Sequence, residues 1–142
     1  MAACNDRIIQ GVAPGPGGNH LLGRRLRLGD TRLFAEWSGD ARAGISLGDL
    51  MAMSGGLAFN ESYGSVSDLT RMLYLEPDMA RFAAGQPQLH AVGTTFSYSS
   101  GSTLLLSRLW PSALADPAQA LAYPRTALFA PLGMRTAVIE AG

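Results

Sequence analysis

Thr94-Thr95-Phe96-Ser97-Tyr98-Ser99-Ser100-Gly101-Ser102-Thr103-Leu104-Leu105-Leu106-Ser107-Arg108-Leu109-Trp110 is the stretch that decides the fold. From Ser100 onward it reads as a strongly apolar helix, and Pro111, which cannot donate a backbone hydrogen bond, closes it. Tyr98 therefore stands just before a buried helix. Ser99 and Ser100 occupy positions where a hydroxyl caps the first turn. The plain reading of Tyr98 itself is an aromatic ring at a helix entrance with its hydroxyl in solvent.

The segments before Tyr98 also read as short helices. Ile45-Ser-Leu-Gly-Asp-Leu-Met-Ala-Met53 has Ser46 as N-cap and Asp49 as the acid of a capping box, and Ser54-Gly55-Gly56 ends it. Ser67 to Leu75 places Leu69, Met72 and Leu73 on one face, and Pro77 to Ala84 starts a second helix with proline in its first turn. A loop with Pro87 follows between Gly85 and Gly93. After the decisive helix come Pro117 to Ala122, a break near Pro124, a short helix through Phe129, the turn Pro131-Leu-Gly-Met134 and a β-leaning Thr136 to Ile139. Leu26 to Phe34 alternates apolar and polar residues. No internal repeat is present, and the chain is expected to be mainly α.

Composition narrows the function. The 142 residues, 47% hydrophobic and 15% charged, suffice for one compact core. Eleven basic residues balance eleven acidic ones, so no positive field gathers nucleic acid or an anionic membrane. The one cysteine, Cys4, and the two histidines, His20 and His90, have no metal-ligand spacing, and neither a metal nor a cofactor is expected. No apolar run has the length of a signal-peptide core or a membrane span, which leads to the expectation of a cytoplasmic chain without a membrane partner. Gly11 to His20 carries two prolines and four glycines and reads as a loop; no Gly-Lys-Ser/Thr follows to make it a phosphate cradle. Glu36, Asp40, Asp49 and Glu61 read as caps and solvated charges rather than a catalytic carboxylate pair. A Gly-x-Ser-x-Gly nucleophile elbow, with serine on a sharp turn from strand to helix, is not expected.

Three segments together resemble the serine β-lactamase-like superfamily of class C β-lactamases, DD-peptidases, esterases and 6-aminohexanoate-dimer hydrolases. Ile45 to Leu57 is similar to the family's helix and turn, with Asp49-Leu50 and Ser54-Gly55 in place. Val92 to Leu106 is similar to the family's Pro-Gly-x-x-Phe-x-Tyr-Ser-Asn stretch and the helix behind it. Leu128-Phe-Ala-Pro-Leu-Gly-Met134 looks like the family's Pro-Leu-Gly-Met turn. The resemblance runs from Leu26 to Ile139.

It implies acyl transfer on a small amide or ester. A serine attacks the carbonyl, a lysine three residues later helps deprotonate it, and a tyrosine relays the proton to the leaving group. By resemblance Tyr98 is that relay, and a phenol with an ordinary pKa near ~10 needs a nearby cation to serve at neutral pH. Ser100 is the third position of the tyrosine motif, usually Asn in β-lactamases, and its identity favours the esterase and amide-oligomer branches.

The family's Ser-x-x-Lys cannot exist here, because every basic side chain is arginine. Its two residues fall near positions 7 and 10, which are Arg7 and Gln10. The long helix they open would have to cross Pro14 and Pro16, each costing about 3 kcal/mol in a helix interior. A late Lys-Thr-Gly or His-x-Gly is missing as well. The fold expected is thus the helical-subdomain fragment of a β-lactamase-like α/β + α fold, with little strand. Residues 1–25 are expected to be an irregular stretch foreign to the family, with a displaced reading frame or misassigned start as the hypothesis for its origin, and 26–142 are expected to form a partial domain. Such a piece should be inactive alone and expose apolar surface that invites self-association. The alternative is a non-catalytic helical interaction module or a decayed remnant.

Overall fold

The computed structural model describes residues 26–114 and 116–139. The loop expected over Gly11 to His20, the family positions Arg7 and Gln10, and Cys4 lie outside the described residues. Those residues divide into two units, Leu26–Trp110 and the stretch from Pro111 onward, each taken by itself. The protein is mainly helical, and among the described residues the only β-type pairing is an isolated antiparallel bridge between Leu57 and Gln88.

The first unit carries α1 (Leu47–Met51), α2 (Asp68–Tyr74), α3 (Met79–Ala84) and nearly all of α4 (Ser100–Ser112), preceded by two 3-10 turns, Ala35–Trp37 and Ala41–Gly44. The alternating Leu26 to Phe34 forms a turn at Arg27 to Asp30 that docks on α1. Leu47 N–H donates to the Asp30 carbonyl at 2.9 Å and Gly48 N–H to that of Leu28 at 2.7 Å. α1 opens with the expected capping box: Asp49 N–H donates to Ser46 Oγ at 3.1 Å, and Ser46 N–H donates to Asp49 Oδ2 at 2.9 Å.

α1 ends differently from expectation. Ser54 N–H reaches the Asp49 carbonyl at 2.8 Å and Met53 N–H that of Leu50 at 3.1 Å, a Schellman motif. The left-handed residue is Met53, with φ 55°, rather than a glycine of the following pair. Gly56 has its own positive φ of 76°, and a Cβ there would stand 2.2 Å from the His90 carbonyl oxygen, so only glycine fits that crossing.

α2 has a second capping box, Ser67 with Thr70, and buries Leu69 and Met72 as expected. Leu73, expected on the same face, is 44% exposed, so the buried stripe is narrower than the spacing implies. Asp78 caps α3 by accepting from Arg81 N–H at 2.8 Å, which leaves Pro77 before the cap rather than in the first turn. Arg71 links the two helices: it pairs with Glu76 at 2.6 Å and lies 5.2 Å from the centre of the Phe82 ring.

The core of this unit is Leu33, Trp37, Ile45, Leu50, Leu69, Met72, Leu105 and Leu109 with the small Ala83 and Ala84. Trp37 has no exposed surface, and its indole N–H donates to the Ala84 carbonyl at 2.9 Å. Arg42 meets the same carbonyl and that of Gln86, both at 2.9 Å, while pairing with Asp40 at 2.7 Å. The carbonyls of Ala84, at the end of α3, and of Gln86, just beyond it, are thus satisfied by side chains from far along the sequence. The bond to Asp40 holds the Arg42 guanidinium above its ordinary pKa, and Asp40 lies below its own because of Arg42.

In the second unit, Pro111 lies within the last turn of α4 rather than beyond it, and α5 (Pro117–Pro124) runs without the expected break into a π-helical turn, Arg125–Phe129. Pro124 lacks the N–H that would continue the α-helical ladder, and the next bonds widen, as in Ala130 N–H to the Arg125 carbonyl at 2.8 Å. The Pro131 to Met134 turn is a second Schellman motif, here with Gly133 in the left-handed position at φ 69°. Arg125 gathers the segment after it by donating to the Met134 carbonyl at 3.3 Å and the Ala137 carbonyl at 2.5 Å. Thr136 to Ile139 forms no strand.

Candidate functional site

The turn before α4 is fixed on both sides of Tyr98. Upstream, Ser97 N–H donates to the Met53 carbonyl at 2.8 Å, joining it to the left-handed residue that ends α1. Downstream, buried Ser99 is the cap of α4, its Oγ accepting from Ser102 N–H at 3.2 Å. Gly101 lies against the Phe59 ring so closely that a Cβ would come within 2.7 Å of it. Between these anchors Tyr98 is 61% exposed.

The two residues singled out in the sequence therefore differ in circumstance. Tyr98 presents its phenol outward from a braced turn. Ser100 is occupied: its N–H donates to Glu61 Oε1 and its Oγ donates to Glu61 Oε2 at 3.2 Å. Among the described residues the arginines stacked on aromatic rings are Arg71, Arg108 and Arg125, on Phe82, Phe34 and Phe129, so none of these stacks brings a cation to Tyr98.

Glu61, by sequence a cap or solvated charge, belongs to this site. It is a cap, but for a helix starting 39 positions later, a pairing that no local pattern announces. Asp49 and Asp40 cap α1 and the Ala41–Gly44 turn, and Glu36 pairs with Arg108 at 2.9 Å. The expectation of no nucleophile elbow needs one correction. Gly44-Ile45-Ser46-Leu47-Gly48 does have the Gly-x-Ser-x-Gly spacing. No strand leads into it, however, and Ser46 Oγ is held 2.5 Å from Asp49 Oδ2 as an ordinary cap, so the strained turn that exposes an elbow serine is not there.

Among the described residues no three His, Cys, Asp or Glu side chains converge to hold a metal ion, and no helix is long and apolar enough to cross a membrane.

A protein-family model described as Beta-lactamase matches residues 19–141. No curated protein matches the chain.

Proposed function

The chain belongs to the Beta-lactamase family, and from that membership we propose that its helical portion carries the proton-relay tyrosine of a serine hydrolase acting on a small amide or ester. In this reading a serine Oγ attacks the substrate carbonyl and its proton passes through the Tyr98 phenol to the leaving amine or alkoxide, leaving an acyl-enzyme that water then cleaves. The observation that carries it is the exposed Tyr98 on a turn pinned at Ser97, Ser99 and Ser100. A relay must keep its hydroxyl within hydrogen-bond reach of both partners, and a braced turn at a helix entrance limits the search for that geometry.

Ser100 in the third motif position supports the esterase or amide-oligomer branches over a true β-lactamase. The 142 residues contain no lysine, so the Ser-x-x-Lys pair has to come from chain outside them, and these residues alone are expected to be inactive.

A second reading, a helical module without catalysis, is favoured by the engagement of Ser100 with Glu61. Incubating the purified chain with nitrocefin, p-nitrophenyl esters and a fluorescent phosphonate separates the readings from a self-sufficient enzyme. Neither turnover nor labelling is expected; turnover that disappears in Tyr98→Phe would show that these residues hold a complete site and would sink the module.

A further inference from the structure

Glu61 does more at the head of α4 than close a helix end. Ordinary capping is already supplied by Ser99, whose Oγ takes the Ser102 N–H. Glu61 adds a carboxylate that accepts from both the backbone N–H and the hydroxyl of Ser100, two residues after Tyr98. Charge favours the arrangement, because the N-terminus of a 13-residue helix carries partial positive charge.

The far end of this connection is anchored too. Asn60 N–H donates to Asp68 Oδ2 at 2.9 Å, and Leu69 N–H donates to the Asn60 carbonyl at 3.1 Å, so the residue before Glu61 is bound at two points to the first turn of α2. Two residues back, Phe59 packs its ring on Gly101. Alternate residues of one short segment, Phe59 and Glu61, thereby grip adjacent residues of α4.

We propose that Glu61 is a positioning residue for Tyr98, its two-armed hold on Ser100 fixing the turn from which the phenol projects. The inference rests on the relay role given to Tyr98 above. A carboxylate is needed because both arms are donors on the Ser100 side. Glutamine would offer one acceptor and turn an N–H toward a donor, and aspartate is a methylene too short to keep both contacts.

The test uses the full 142-residue chain, labelled with 15N and with 13C in its tyrosine rings. Amide exchange at Ser100 and ring relaxation at Tyr98 are followed by NMR in wild type, Glu61→Gln and Ser100→Ala. In Glu61→Gln, Ser100 exchange should rise roughly tenfold or more and the Tyr98 ring should lose order, with Leu105 and Leu109 amides unchanged. Ser100→Ala, which loses only the hydroxyl arm, should give the smaller change. Unaltered Ser100 and Tyr98 signals in Glu61→Gln would overturn the proposal. So would uniform acceleration along α4 or loss of the fold, either of which marks a plain structural brace. These readouts contain no turnover, so the relay role of Tyr98 stands or falls separately.

Discussion

The carbonyl of Met53 receives the N–H of Ser97 at 2.8 Å, and the same Met53 is the left-handed residue, φ 55°, that terminates α1. A side chain in that conformation costs about 1 kcal/mol, a cost glycine avoids. The second Schellman motif of the chain has the cheaper solution, Gly133. Met53→Gly should therefore stabilise the protein by about 0.5–1 kcal/mol in urea unfolding and keep the Ser97 hydrogen bond. A loss of stability would mean that the Met53 side chain contributes more by packing than its backbone loses.

Gly101→Ala tests the close approach on the other side of Tyr98. The added methyl would meet Phe59 Cε2 at 2.7 Å, so the ring or the first turn of α4 must move. A cost of about 1–3 kcal/mol is expected, the usual range for overpacking. The double variant Gly101→Ala with Phe59→Leu should recover part of it if the ring is the obstacle.

Trp37 joins the first 3-10 turn to the end of α3 through burial and one hydrogen bond. Trp37→Ala should cost about 3–5 kcal/mol. That is a large share of the 5–15 kcal/mol typical of a domain, so near-UV circular dichroism and urea unfolding should show a chain close to unfolding at ambient temperature.

Glu36 and Arg108 set a modest acid sensitivity. Partial burial pushes the Glu36 carboxyl up, but a hydrogen bond from its own backbone, the Arg108 guanidinium and the charge of Arg81 together hold it below the ordinary 4.5. A value depressed in the folded state contributes stability above the unfolded value, and that contribution disappears as pH falls through the folded one. Unfolding free energy should therefore drop from pH 7 to pH 3 more in wild type than in Glu36→Gln. The difference should stay within about 1 kcal/mol, since the side chains are 36% and 40% exposed and water screens the pair.

The parts of the fold legible in the sequence were those whose physics is local. Ser46 and Asp49 are three residues apart, and the capping box they make needs nothing else in the chain. The same holds for the Pro131 to Met134 turn and for the apolar run after Ser100. Leu73 is exposed against expectation because spacing gives a helix face but not how much of that face has something to pack on. Pro124 suggests a break because the sequence does not show that the helix widens into a π turn and continues. The brace at the candidate site was illegible for another reason. Glu61 and Ser100, Phe59 and Gly101, and Met53 and Ser97 meet only through tertiary folding, so the sequence could single out Tyr98 but not what holds its turn.

The proton relay proposed for Tyr98 in acyl transfer requires a Ser-x-x-Lys pair from outside these residues. It is tested most directly by grafting Leu26 to Ile139 in place of the matching segment of an active family serine hydrolase, and comparing kcat and KM for a p-nitrophenyl ester with and without Tyr98→Phe. An active graft is expected, with kcat falling roughly 10²–10⁴-fold in the variant while KM changes little. A folded graft with equal kcat in both forms, or one with no activity while Tyr98 is present, would contradict it.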